Sequence, residues 1–148
     1  MKGMFYSFVI ITALASLASC HQAKQSTGSA SIVGTHWQLI EVNGEAVLPD
    51  EQLKRGPHMI LNASENSVNG NGGCNSFFGS YELQGDNGIT FTNIGSTKMA
   101  CQNDAMQIER QLIQAFEMAN KFTIRNDTLI LTKTDMSPLA TFIVSDMK

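Results

Sequence analysis

The stretch Lys121-Phe122-Thr123-Ile124-Arg125-Asn126-Asp127-Thr128-Leu129-Ile130-Leu131-Thr132 holds two short β-type runs on either side of an Asn-Asp pair. Runs of Phe, Ile, Leu and Thr favour a pleated, half-buried surface, and Asn126-Asp127 is short enough to reverse the chain as a tight turn. Just before them, Ala105, Ile108, Leu112, Phe116 and Ala119 recur at steps of three and four, which puts them on one helical face. Asn103 or Asp104 is placed to cap that helix, Glu109 lies in its first turns, where the dipole favours negative charge, and Lys121 stands at its end. A parallel sheet needs a crossover between each pair of strands. One helix cannot supply several, so local antiparallel pairing is expected.

Upstream, the segment from His36 to Val42 is strand-like, with Trp37, Leu39 and Glu41 alternating against Gln38 and Ile40, and Asn43-Gly44 follows it as a hairpin turn. Pro57 to Asn62 is a second strand, and Glu65 to Gly70 a weakly apolar third that suits an edge. The block Asn69-Gly70-Asn71-Gly72-Gly73 tolerates positive φ and must bend sharply. Phe77, Tyr81 and Leu83 fall in phase along the next strand, Gly85 to Gly88 turns the chain, and Ile89 to Ile94 opens with clean alternation. Ser96 to Ala100 is one more short strand candidate, and Leu139 to Val144 closes the chain. The expected fold is therefore mainly β with one α-helix: an antiparallel meander curled into a small lipocalin-like barrel, with the helix packed against it.

The other end of the chain carries an address. Lys2, an apolar stretch from Met4 to Ala15 and the ending Leu17-Ala18-Ser19-Cys20 read as a secretion signal whose close resembles the lipobox of bacterial lipoproteins, with Cys20 lipidated. The apolar stretch falls short of the roughly 20 residues that span a bilayer. A cleaved signal with an incidental Cys20 is the plainer alternative. Residues 1–19 are thus expected to be a signal peptide, residues 20–30 a polar tether and residues 31–148 one domain. His21, rather than Asp, after the cysteine favours the outer membrane by resemblance to lipoprotein sorting rules, with the domain facing the periplasm. The membrane partner is engaged through the lipid, since the sequence shows no polybasic patch. A formal net charge of −3 with scattered lysines offers no basic stripe and argues against nucleic acid.

Two cysteines remain in the folded part, Cys74 and Cys101. In an oxidising compartment a disulfide is the leading reading. A zinc site would need further ligands, and His36 and His58 lack paired spacing. A catalytic cysteine would need a base that the sequence does not locate.

Gly34-Thr35-His36-Trp37-Gln38-Leu39, then Gly72-Gly73-Cys74-Asn75-Ser76-Phe77-Phe78-Gly79-Ser80-Tyr81, then Thr97-Lys98-Met99-Ala100-Cys101 and a helix, resemble the META domain of the heat-shock-linked HslJ proteins. The resemblance covers about residues 32–145. It implies a compact β-rich domain with a crossing helix, and links to heat shock and antibiotic tolerance. It implies no catalytic residue, metal or cofactor. Carried over, it makes Trp37 a core aromatic, Cys74 and Cys101 the cysteine pair, and Asn75 a residue fixing the bend. Gly73, Phe78, Gly79, Tyr81, Thr97 and Met99 are motif positions with structural roles. Asn75 is expected to bond its own backbone, and Met99, Met106 and Met118 fit core gaps as well as a binding surface.

Three function classes follow. A lipid-anchored, non-enzymatic accessory factor in envelope stress would act through an unidentified envelope protein. A small-ligand binder, its ligand unknown, would use the barrel interior and needs a cavity there. An enzyme would need paired acids, and Asp50, Glu51, Asp86, Asp104 and Asp127 show no such spacing; Ser76 and His58 would need the fold to join them.

Overall fold

The computed structural model describes residues 30–48, 56–101, 103–134 and 137–146. The signal segment, Cys20, the tether up to residue 29 and the acids Asp50 and Glu51 lie outside the described residues. The elements run β1 (Trp37–Val42), β2 (Glu45–Ala46), β3 (His58–Asn62), β4 (Ser67–Asn71), β5 (Ser76–Gln84), β6 (Gly88–Ser96), α1 (Asn103–Met118), β7 (Lys121–Arg125), β8 (Thr128–Thr132) and β9 (Pro138–Val144). Every strand pairs antiparallel with its neighbour in the order β2-β1-β3-β4-β5-β6-β7-β8-β9, and β9 returns to pair with β1. The meander therefore curls into a ring. Its closure is uneven: β6 and β7 share one register pair, Gly88 with Lys121.

The helix explains that weak seam. It connects β6 to β7 and packs against β6 and against β1 and β9, which stand across the ring from β6. It thus crosses the mouth of the ring and buries Leu112, Ala115 and Phe116 in the interior. The Phe116 ring lies 5.2 Å from that of Phe77 and 4.7 Å from that of Phe91, within the range of favourable aromatic pairs.

Inward positions alternate as a pleat requires. Trp37, Leu39, Met59, Leu61, Phe77, Ile89, Leu129, Leu131 and Phe142 are each at most 1 % accessible and belong to one contiguous core. Side chains so completely covered leave no water-sized space against them, and they form the packed centre of the ring. Trp37 is the core aromatic expected of it, and its indole N–H donates to the Ile32 carbonyl at 3.0 Å.

Several strand details depart from expectation. A register shift between Leu39 and Glu41 in the β1–β9 pairing moves the inward phase to Val42, leaving Glu41 half-buried. Leu83 is 39 % exposed, on the part of β5 that continues beyond its last pair with β4, Ser67 with Ser80. The strand expected at Glu65–Gly70 starts at Ser67, since Asn66 adopts φ 47° in the preceding turn. No strand forms over Ser96–Ala100: β6 ends at Ser96 and residues 97–101 leave the sheet. Asn43 (φ 51°) and Gly44 (φ 81°) form the two-residue reversal between β1 and β2, both in the left-handed region that a type I′ hairpin turn demands. Gly70 is needed for another reason. A Cβ there would collide with the His58 backbone carbonyl, so only glycine lets β4 approach β3 this closely.

Tyr81 is buried under the β3–β4 turn, with its hydroxyl donating to the Asn62 carbonyl at 3.3 Å. Burial pushes its phenol above the ordinary value of 10.0. The unfolded chain therefore ionises first as pH rises. The protonated phenol costs nothing below about pH 10, and stability falls as pH climbs through and beyond that value. Tyr81→Phe is expected to flatten this alkaline limb in urea titrations between pH 8 and 11. An unchanged alkaline limb in the variant would assign the loss to other groups.

Candidate functional site

The Gly-rich bend, the segment after β6 and the first turns of α1 meet at one point. Cys74 and Cys101 are joined as a disulfide with Cα atoms 5.8 Å apart, which takes both sulfurs out of contention as nucleophile or zinc ligands. Asn75, 4 % exposed, sits beside it and uses every polar atom it has. Its backbone N–H donates to Glu109 Oε2 at 2.6 Å, and its Nδ2 donates to Glu109 Oε1 at 3.2 Å and to the Met99 carbonyl at 3.4 Å. Its Oδ1 accepts from the Thr97 hydroxyl at 2.9 Å and the Met99 N–H at 2.7 Å. Asn75 thus ties the bend before β5 to the 97–101 segment and to the helix. The expectation that it bonds its own local backbone is corrected: its amide spans 22 to 34 residues of sequence.

Glycines make that approach possible. A Cβ on Gly72 would stand 2.7 Å from Glu109 Cγ, and Gly73 (φ 118°) would place one 3.1 Å from the Ala105 carbonyl. Glu109, read from the sequence as a charge in the first turns of the helix, is instead turned inward and only 9 % exposed. Both its oxygens are engaged by Asn75. The sequence reading missed this pairing, and no local spacing could have revealed it. The only hint was a glutamate one step from the apolar helical face at Ile108.

Other motif positions fall into place. Gly79 faces inward on β5, where a Cβ would collide with the Ile94 side chain. Ile94 is turned there by a register shift opposite Phe78–Ser80 and by Asn93 at φ 55°. Thr97 is exposed yet bonded to Asn75, and Met99 contributes its backbone while its side chain is 59 % exposed. Met118, 39 % exposed, fills no core gap either, while Met106 is half-buried. Met99 and Met118 thus lie on the surface, while Leu112 and Phe116 are the helix side chains fully buried in the core.

The outer face of β3 to β6 carries three cross-strand rows. His58, Asn71 and Ser76 form one; Ile60, Asn69, Phe78 and Gly95 the next; Asn62, Ser67, Ser80 and Thr92 the third. Ser76 and His58 share a row but keep Asn71 between them, two strand spacings or roughly 10 Å apart. His58 Nδ1 lies 2.8 Å from the Gly56 carbonyl. The pair is therefore not joined. Among the described residues, no group of three or more His, Cys, Asp or Glu is gathered to hold a metal ion. An open groove of about 410 Å³ between β6 and α1 is lined by Ser96, Glu109, Arg110, Ile113, Gln114 and Glu117. The carboxylate of its one buried acid is already committed to Asn75.

The META domain matches residues 30–146 of this chain. The chain belongs to the META domain family. Solved structures similar to this META protein share its fold at low identity. One, determined by NMR for a protein from Burkholderia xenovorans, is 24 % identical over 78 % of this chain and 85 % of that one, with a TM-score of 0.63. Another, a crystal structure of a DUF4847 family protein from Bacteroides vulgatus, is 15 % identical over 79 % and 96 % of the two chains, with a TM-score of 0.56. No curated protein matches the chain. Among the described residues of the META domain, no helix is long and apolar enough to cross a membrane.

Proposed function

We propose that this META protein is a lipid-anchored, non-enzymatic component of the cell envelope, an accessory factor in heat or antibiotic stress that works through contact with other envelope proteins. The observation that carries the reading is Leu17-Ala18-Ser19-Cys20 behind a short apolar run, followed by a polar tether. Several acyl chains on one cysteine would supply the anchor, each buried methylene adding about 0.8 kcal/mol of membrane affinity. The disulfide supports a compartment where thiols oxidise. The non-enzymatic part is supported by Glu109, whose two oxygens serve structure. His21 after the cysteine supports the outer membrane.

Metabolic labelling with an alkyne fatty acid tests the anchor. The parent chain is expected to carry label and to partition with membranes, and Cys20→Ser to lose the label and remain unprocessed. Unlabelled parent protein would end the lipoprotein reading. Crosslinking in living cells with and without heat tests the role, and capture of a reproducible, heat-dependent envelope neighbour is the expected result.

A further inference from the structure

We infer that the outer face of β3 to β6 is a binding site for neutral glycans, with Phe78 as its stacking platform. The inference goes beyond the stress role and does not depend on the lipid anchor.

Phe78 is the most unusual side chain of the META motif. It is 60 % exposed in the middle of a four-stranded surface, whereas its neighbours Phe77 and Tyr81 are buried. The residue across from it on β6 is Gly95, and a Cβ there would meet two Phe78 ring carbons at 3.1 Å. The ring therefore leans over bare backbone. It covers a glycine with one side and offers the other to solvent, an arrangement that shields a sheet glycine. Shielding alone does not account for what surrounds it.

The three rows around Phe78 contain no Asp, Glu, Lys or Arg, although the chain carries 10 basic and 13 acidic residues. Amides and hydroxyls take their place. Asn69, directly opposite Phe78 on β4 and exposed, accepts from Asn62 Nδ2 at 3.0 Å through its Oδ1, which orients the amide on this face. Asn71 Oδ1 is held by the Gly73 N–H at 2.7 Å, which fixes a second amide at one corner of the same face. Two oriented amides beside an exposed aromatic ring suit a ligand with an apolar C–H face and a rim of hydroxyls. A pyranose with equatorial substituents has both. The lack of Lys and Arg in these rows selects against nucleic acid, anionic lipid headgroups and acidic peptides, all of which draw on Lys or Arg for affinity. Charge complementarity therefore points to a neutral sugar chain.

Saturation-transfer NMR on the full chain, held in a zwitterionic rather than a glycoside detergent, tests the site with chitotetraose and cellotetraose as probes. Transfer to the ring C–H protons of at least one is expected. Phe78→Leu should weaken binding about tenfold, while Phe78→Tyr, which keeps the aromatic face, should retain it. Unaltered far-ultraviolet circular dichroism in both variants separates lost stacking from lost folding. No transfer to either sugar would overturn the proposal. So would equal binding by the Phe78→Leu and parent proteins, or a preference for an anionic heparin-derived tetrasaccharide over both neutral probes.

Discussion

Protein in which Cys74 and Cys101 are both replaced by serine is expected to lose about 3–4 kcal/mol of unfolding free energy. The bond joins cysteines 27 positions apart in sequence, and the chain-entropy relation for a loop of about that length yields the figure. The loop is a demanding one to close. It contains the β5–β6 hairpin, which leads away from the bend before the chain returns as the 97–101 segment. That segment belongs to no strand or helix, so the sulfur bridge and Asn75 are its described ties to the body of the domain, with one Thr97 N–H to Ser76 carbonyl bond of 3.0 Å at its start. Urea titration of the double variant should show a lower midpoint with a larger slope, because unfolded chains without the crosslink expose more surface. Parent protein with a strong dithiol reductant should reproduce the loss. A change under about 1 kcal/mol would mean that the hydrogen bonds hold the segment by themselves.

How far the fold could be read from the chain depended on how local the information was. The last three strands are placed within a residue of expectation, because Asn126-Asp127 and the change from helical to pleated period are local signals. Asn126 indeed adopts φ 54°. Trp37 was legible for the same reason, as an early aromatic in a strand that has to face inward. The helix was found from its apolar face, but not its path across the ring mouth, since that path is set by which strands Leu112 and Phe116 meet. The register shifts at Glu41 and at Phe78–Ser80 were hidden, because a bulge alters phase without altering composition.

The candidate site was half legible. Two cysteines in an expected oxidising compartment pointed to the sulfur pair, and the glycine block showed that the chain bends at residues 69–73. Glu109 was not legible as Asn75's partner. A glutamate near a helix start reads as a dipole charge, and nothing within 34 residues of sequence says that it faces a buried amide. The same blindness applied to Phe78. Alternation predicted that one of two adjacent phenylalanines faces out, but only the register shows that Gly95 and Asn69 flank it.

Asn75→Asp is expected to be the most damaging change of near-identical shape, costing about 3–5 kcal/mol at neutral pH. The new carboxylate keeps the two acceptor contacts, to the Thr97 hydroxyl and the Met99 N–H. It replaces the Nδ2 donor that faces Glu109 Oε1 at 3.2 Å with an oxygen, so two carboxylates meet in a buried place. Acidification neutralises one of them, and the deficit should shrink as pH falls toward 4. Glu109→Gln alone is also expected to cost stability. Its oxygen still serves the Asn75 N–H, but its NH2 group then confronts the NH2 of Asn75, donor against donor. Combining the two substitutions reverses the polarity of the contact, because the glutamine NH2 donates to the introduced carboxylate. The double variant should recover part of the loss, with a coupling energy of about 2–3 kcal/mol in the mutant cycle, the remainder reflecting the carboxylate oxygen left against the Met99 carbonyl that Nδ2 had bonded. Equilibrium unfolding of the four proteins at pH 7 and pH 4 checks this. Strictly additive losses would show that Asn75 and Glu109 do not bond side chain to side chain. The tie between bend and helix would then rest on backbone and sulfur alone.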